Sequence, residues 1–143
     1  MWSREDIINM INLHNEMFQN AFVSRKATDA DIKAAEGKLG FEIPEDYVWY
    51  LKEFGHGGCM FEFLGIGLNE RMVFVEETIK MRKHGLPDNL LIFQNCDEFC
   101  DCINVEDGSV VTWSMYDNAG IIEVADDFCQ YFYENIESAI ENY

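Results

Sequence analysis

The interval between apolar residues changes part-way along this chain, and that change restricts the fold more than any other feature of the sequence. Up to about residue 54 apolar residues recur every three or four positions, the interval that lines one face of a helix. Ser3 to about Asn20 reads as an amphipathic helix with Ile7, Ile8, Ile11, Met17 and Phe18 turned inward, opened by a capping box between Ser3 and Asp6. A second helix starts at the cap Thr28, with Asp31 three residues on; it buries Ile32, Ala35 and Leu39 and stops at Gly40. Pro44 opens a third, followed by Glu45 and Asp46 at the positive end of the helix dipole and by the stripe Tyr47, Val48, Leu51 and Phe54.

After Gly55-His56-Gly57-Gly58 the interval falls to two. Cys59, Phe61 and Phe63 alternate with Met60 and Glu62 and predict a strand. Met72 to His84 returns to helical spacing and gathers Lys80, Arg82 and Lys83 at its C-terminal end before Gly85. Leu90 to Phe93, Phe99 to Val105 and Val110 to Trp113 predict three strands, broken by Asn95-Cys96-Asp97 and by Glu106-Asp107-Gly108, in which Asp107-Gly108 signals a hairpin. Ile121 to Val124 adds a last strand. Asp126 or Asp127 then caps a helix bearing Phe128, Tyr131, Phe132, Ile136, Ala139 and Ile140.

Strands that follow one another through short turns pair antiparallel, and helices segregated from strands exclude a doubly wound sheet. The expected fold is α+β: a mostly antiparallel sheet of about four to five strands with N-terminal helices, a middle helix and a C-terminal helix. Residues 1–143 are expected to form a single domain, with 1–20 as a leading helix packed on it. A chain of 143 residues buries about two-thirds of its unfolded surface, and eleven Phe, six Tyr and three Trp supply bulk for the core or for an interface.

Charge is distributed as unevenly as the apolar spacing. Up to Gly85 there are 14 acidic against 10 basic residues, a net of −4; from Leu86 to Tyr143 there are 13 acidic residues and no Lys, Arg or His, a net of −13. A field of one sign repels phosphate backbones and anionic membrane faces, which excludes direct nucleic-acid binding, and it attracts a basic partner while speeding encounter. Acidity that serves only solubility is the plain alternative, but it does not require that one half of the chain go without cations.

The N-terminus has no basic region followed by an apolar stretch, and no run approaches the ~20 apolar residues that span a bilayer, so the expected location is the cytoplasm and no membrane contact is expected. Five cysteines are an odd number, and Cys96, Cys100 and Cys102 have spacings that fit neither a disulfide framework nor the CxxC pairs of a zinc site. Reduced, mostly buried thiols are expected, with no metal and no cofactor. His14, His56 and His84 fall on separate segments without a second ligand at helical spacing. The glycine clusters match no phosphate-binding loop, and no nucleophile-elbow pattern is present. No catalytic residue is assigned, and the chain is expected not to be an enzyme.

The candidate residues are therefore those of a binding surface. Asp97, Glu98, Asp101, Glu106, Asp107 and Asp117 surround the sheet turns and are expected on an exposed, partner-facing rim, with a solvated edge as the alternative. Trp113 and Tyr116 are candidate anchors, because interface energy concentrates in Trp, Tyr and Arg; Trp113 on an alternating strand also suits the core. Neither monomer nor dimer is indicated.

The segment Thr28 to Gly58 resembles the signature of the SUKH superfamily, which includes yeast cell-wall synthesis regulators and many bacterial immunity proteins. The likeness lies in Glu36, Leu39 and Gly40 closing one helix, in Ile43, Pro44, Asp46 and Tyr47 opening the next, and in Tyr50, Leu51, Phe54, Gly57 and Gly58 ending it. The helix from Met72, a sheet containing Trp113 and a closing Phe-rich helix follow the same layout. Two positions depart from it: His56 stands where an Asn is usual, and Ser114 follows Trp113 where an acidic or amide residue is common. The resemblance implies a protein without catalytic machinery that neutralises a cognate toxin by binding, nucleases being frequent targets. It leaves open a regulatory module in a cell-wall or signalling assembly.

Overall fold

The structure, a computed structural model, describes residues 2–22, 25–67, 69–116 and 120–143. Helix α1 (Arg4–Leu13) starts at the expected capping box: Ser3 Oγ accepts from the Asp6 amide at 3.2 Å, and the Asp6 carboxylate accepts from the Ser3 amide at 2.8 Å. The leading helix does not run unbroken to Asn20. His14 leaves the helical region (φ −119°, ψ 41°), and a short α2 (Asn15–Phe18) restarts on its carbonyl, which accepts from both Met17 and Phe18. The two pieces bury Ile7 and Phe18, while Ile8, Ile11 and Met17 remain half-exposed.

Helix α3 (Asp29–Leu39) has the start, stripe and end read from sequence. Thr28 and Asp31 form its capping box, Ile32, Ala35 and Leu39 are buried, and Gly40 closes it at φ 84°. Pro44 is the cap of α4 (Glu45–Glu53) rather than its first residue, and the buried side chains are Tyr47, Tyr50 and Leu51, with Val48 half-exposed. Both tyrosine hydroxyls reach the following loop: Tyr50 donates to the Phe63 carbonyl at 2.9 Å, and Tyr47 donates to the Leu64 carbonyl.

Those bonds explain why Cys59–Phe63 is not the strand that its alternation predicts. The segment closes on itself through one bridge, in which the Gly57 and Phe63 amides each donate to the other residue's carbonyl, and Met60 at φ 65° breaks any extended run. Glycine is required at two of its joints. A side chain on Gly57, at φ 128°, would lie 2.2 Å from the Ala21 carbonyl oxygen, and one on Gly65 would lie 1.6 Å from that of Gly55.

After α5 (Val73–Arg82) come β1 (Leu90–Asn95), β2 (Cys100–Asn104), β3 (Val110–Trp113) and β4 (Ile122–Ala125), then α6 (Phe128–Asn142). The four strands form one antiparallel meander in the order β1-β2-β3-β4, so the fold is α+β with N-terminal, middle and C-terminal helices, as expected. Gly108 at φ 80° completes the β2–β3 hairpin, and Asp127 caps α6 by accepting from the Gln130 amide at 2.8 Å. Helix α5 packs along β1; α6 packs on α1, α4 and β4.

The core between helices and sheet is aromatic. Tyr47, Tyr50, Phe63, Phe93, Phe128 and Phe132 are fully enclosed, and many of their rings meet edge to face with centroids 5.1 to 5.8 Å apart. Each such pair adds roughly 0.5–1.5 kcal/mol beyond the area it buries. All five cysteines are free, and Cys100, Cys102 and Cys129 are buried. Among the described residues no helix is long and apolar enough to cross a membrane.

Candidate partner-binding groove

The turn between β1 and β2 is rigidly made. The Asp97 amide donates to Asn95 Oδ1 at 2.8 Å, the Cys96 amide donates to the Phe99 carbonyl at 2.9 Å, and Asp97 itself sits at φ 67°. Asp is among the few non-glycine residues that enter that left-handed region readily, and here Asn95 Oδ1 fixes the turn through the Asp97 amide. The result holds Asp97 and Glu98 outward, both exposed. Ser114, at the end of β3, ties a second segment to this turn by donating its hydroxyl to the Glu98 carbonyl at 2.6 Å and accepting from the Tyr116 amide at 3.1 Å.

Between these segments lies a groove of about 740 Å³ lined by Asp97, Glu98, Phe99, Thr112, Trp113, Ser114, Tyr116, Gly120 and Ile122. Trp113 forms part of its floor and is only 9% exposed, so it belongs to the core as well as to the groove. Tyr116 (73% exposed), Ile122 (60%) and Phe99 (41%) stand open to solvent beside two carboxylates. Among the described residues no Lys, Arg or His lines the groove.

Four of the eight residues expected from sequence therefore come together here: Asp97, Glu98, Trp113 and Tyr116. Glu106 and Asp107 do not join them. They are exposed, but they occupy the β2–β3 hairpin, at the other end of a strand of five residues, roughly 16 Å away at about 3.3 Å per residue. The sheet turns thus carry two separate acidic ends rather than a single rim. Asp107 is engaged locally, its carboxyl held below the usual range by the Ser109 hydroxyl at 2.7 Å and the Ser109 amide at 2.9 Å. Asp117 lies outside the described residues.

Asp101 is a correction. Expected on the exposed rim, it is 1% exposed. Strand β2 lies between β1 and β3, and both of its faces are covered, so the alternation that marks an outward residue on an edge strand has no outward face to mark. Asp101 Oδ2 accepts from Gln94 Nε2 at 2.8 Å, from the Tyr131 hydroxyl at 2.9 Å and from the Cys96 thiol at 3.7 Å, whereas the buried Oδ1 has no partner. Burial raises its carboxyl above the usual range against the lowering effect of those three donors. The same burial, with the Asp101 charge beside it, pushes the Cys96 thiol up to about 12, so this sulfur is not a nucleophile.

The register joins this buried network to the groove. Gln94 faces Asp101, Asp101 faces Thr112, and Thr112 faces Ile122, so the four side chains stand in one row that passes from the core to the open edge. Phe99, Thr112, Ser114 and Ile122 were not anticipated as site residues. The available signal was Phe99, a large aromatic directly beside a turn; the others depend on which strands become neighbours. His56, the departure from the usual Asn, pins the α4–α5 loop: Nδ1 accepts from the Gly65 amide at 2.8 Å, which leaves the Nε2 proton for Glu62 Oε2 at 3.1 Å.

Among the described residues no group of three or more His, Cys, Asp or Glu comes together in a way that could hold a metal ion. What the groove offers chemically is apolar contact surface with a negative border. Compared with known proteins, residues 4–137 match the model of a family described as SMI1-KNR4 cell-wall, SUKH_5.

Proposed function

Because the chain belongs to the SUKH family described as SMI1-KNR4 cell-wall, we propose that it is a cytoplasmic, non-enzymatic immunity protein that binds and neutralises a cognate basic toxin domain, such as a nuclease. The observation that carries this reading is the groove: an exposed tyrosine and phenylalanine next to Asp97 and Glu98, in a half of the chain without a single cation. A nuclease that grips phosphates presents a basic surface, and a negative protein face meets it as the substrate's charge does.

Magnitudes divide the labour between the two kinds of residue. Exposed ion pairs contribute ~0–1 kcal/mol each, so the carboxylates act mainly on encounter rate and orientation. Aromatic anchors contribute ~2 kcal/mol or more when they become enclosed by a partner, so affinity rests on Tyr116, Phe99 and the exposed part of Trp113. The test is co-expression with the toxin domain encoded beside the gene, followed by pull-down and growth rescue. The reading requires rescue by the unchanged protein and loss of rescue when Tyr116 and Phe99 are both replaced by Ala. Rescue that survives those replacements places the interface elsewhere.

The cell-wall description of the matching family favours a second reading, a regulatory interaction module in a cell-wall or signalling assembly. The same groove would then serve a resident partner, and deletion of the gene would alter wall composition without changing sensitivity to any toxin.

A further inference from the structure

Strands β1 and β4 are the two edges of the sheet, and among the described residues only β1 is covered. On β1, the Ile92 amide donates to Thr78 Oγ1 at 3.0 Å, the Phe93 carbonyl accepts from the Leu64 amide at 2.7 Å, and α5 packs alongside. On β4, among the described residues, the backbone from Ile121 to Asp126 makes no hydrogen bond outside its ladder with β3. Alternate residues of such a strand turn their N–H and C=O groups outward, ready to pair with another chain.

Edges are commonly protected by Lys, Pro or a strong bulge. β4 has one irregularity, opposite Val110 and Val111, and contains neither Lys nor Pro. Its side chains are open: Ile121 is 46% exposed, Ile122 60% and Val124 41%. Ile122 also lines the groove, so edge and groove form one surface. Among the described residues, the charged side chains on and beside it, Asp97, Glu98, Glu123 and Asp126, are all acidic and exposed.

We infer that β4 is a docking edge to which an extended segment of a protein partner, alternating basic and apolar side chains, adds as a further strand with one apolar side chain seated in the groove. This rests on reading the protein as a binder of basic partners, and it specifies how the partner is held. Main-chain pairing supplies affinity, side-chain pockets at alternate positions supply selectivity, and the carboxylates select for Lys and Arg. A second copy of this chain is a poor occupant, because edge-to-edge pairing brings Glu123 towards its own counterpart between two molecules each of net charge −17.

The test uses the full chain, isotopically labelled, and a seven-residue acetylated peptide alternating lysine and valine. Added peptide should slow hydrogen exchange at least tenfold at alternate amides of Ile122–Ala125 and shift the resonances of Phe99 and Trp113. Methylating the peptide nitrogens at one alternate set of residues should abolish binding, while methylating the other set should leave it within about twofold, because only one set faces the edge. Equal binding of both methylated forms, or no protection at β4, overturns strand addition. Replacing lysine by glutamate in the peptide should weaken it at least tenfold; if the two charge forms bind alike, it is the reading of a basic partner that fails. A dimer in sedimentation that is dissolved by Val124→Pro would make a second copy the occupant and overturn the inference.

Discussion

The two halves of the chain hold nearly equal numbers of carboxylates, 14 up to Gly85 and 13 beyond it, and treat them in opposite ways. In the first half five of them are paired with Lys or Arg: Asp46 with Arg4, Asp31 and Glu70 with Arg25, Asp29 with Lys52, and Glu76 with Arg71. In the second half the carboxylates that have partners take hydroxyl, amide or thiol donors, as Asp101, Asp107 and Asp127 do. The first half is a frame in which these carboxylates are tied to cations of the same half. In the second half no carboxylate among the described residues meets a cation within salt-bridge distance. Stability and binding are thus expected to map onto different residues.

The largest expected effect lies in the frame. Phe63 is fully enclosed and packs against Tyr50, Phe93, Phe128 and Phe132. Phe63→Ala should cost about 3–5 kcal/mol of unfolding free energy, a large part of what a domain this size possesses. Chemical denaturation measures it directly. A loss below about 1 kcal/mol would mean that the frame is not where stability resides.

Next is the groove. Tyr116→Ala should weaken partner binding by roughly 2 kcal/mol, about thirtyfold in Kd, and shift unfolding free energy by under about 0.5 kcal/mol. Calorimetric titration beside a denaturation curve reads both. A variant that loses stability and affinity together would erase the division between frame and binding end.

How far each half could be read from sequence follows the same division. The segment from Thr28 to Phe54 was legible because a capping box, a left-handed Gly40 and the helix-opening Pro44 act within a few residues of themselves. The loop from Gly55 to Gly67 was not, because the bonds that shape it come from Tyr47 and Tyr50 on another element. Strand existence was legible for all four members of the sheet, yet burial was not: Asp101 is inside because of what covers both faces of β2, and no local pattern shows that. The groove was half legible. Its turn residues Asp97 and Glu98 announce themselves, whereas Ser114 matters through a bond to the Glu98 carbonyl that only the tertiary fold brings within reach.

Asp101 breaks the division, being a carboxylate of the second half that faces inward. Its carboxyl is raised above 3.8 by burial, so the folded chain holds a proton there that the unfolded chain has released. Its contribution to stability is therefore best at low pH and declines as pH rises through the window from 3.8 towards the raised folded value. Asp101→Asn removes that slope. Relative to the unchanged protein, the variant should therefore gain stability as pH rises from 3 to 7. Denaturation at a series of pH values tests it. A difference between the two proteins that stays flat with pH would mean that Asp101 ionises alike in the folded and unfolded chain, so that burial does not raise its carboxyl.

The smallest effect tests the two acidic ends of the sheet against each other. Neutralising Asp97 and Glu98 together, as Asn and Gln, should slow association with a basic partner several-fold at low salt and flatten its dependence on ionic strength, with ~0.5–1 kcal/mol of affinity lost per residue at most. The matching change at Glu106 and Asp107 removes the same formal charge from the hairpin end. Beyond a Debye length of about 10 Å at 0.1 M salt its contribution at the groove is screened, so association should change by less than half as much at that ionic strength and converge only when salt is lowered. Stopped-flow rates for both pairs across salt concentrations decide the matter. If the hairpin pair slows association as much as the groove pair at 0.1 M salt, position is irrelevant and only net charge counts, and the groove loses its claim to be the place where a partner is steered.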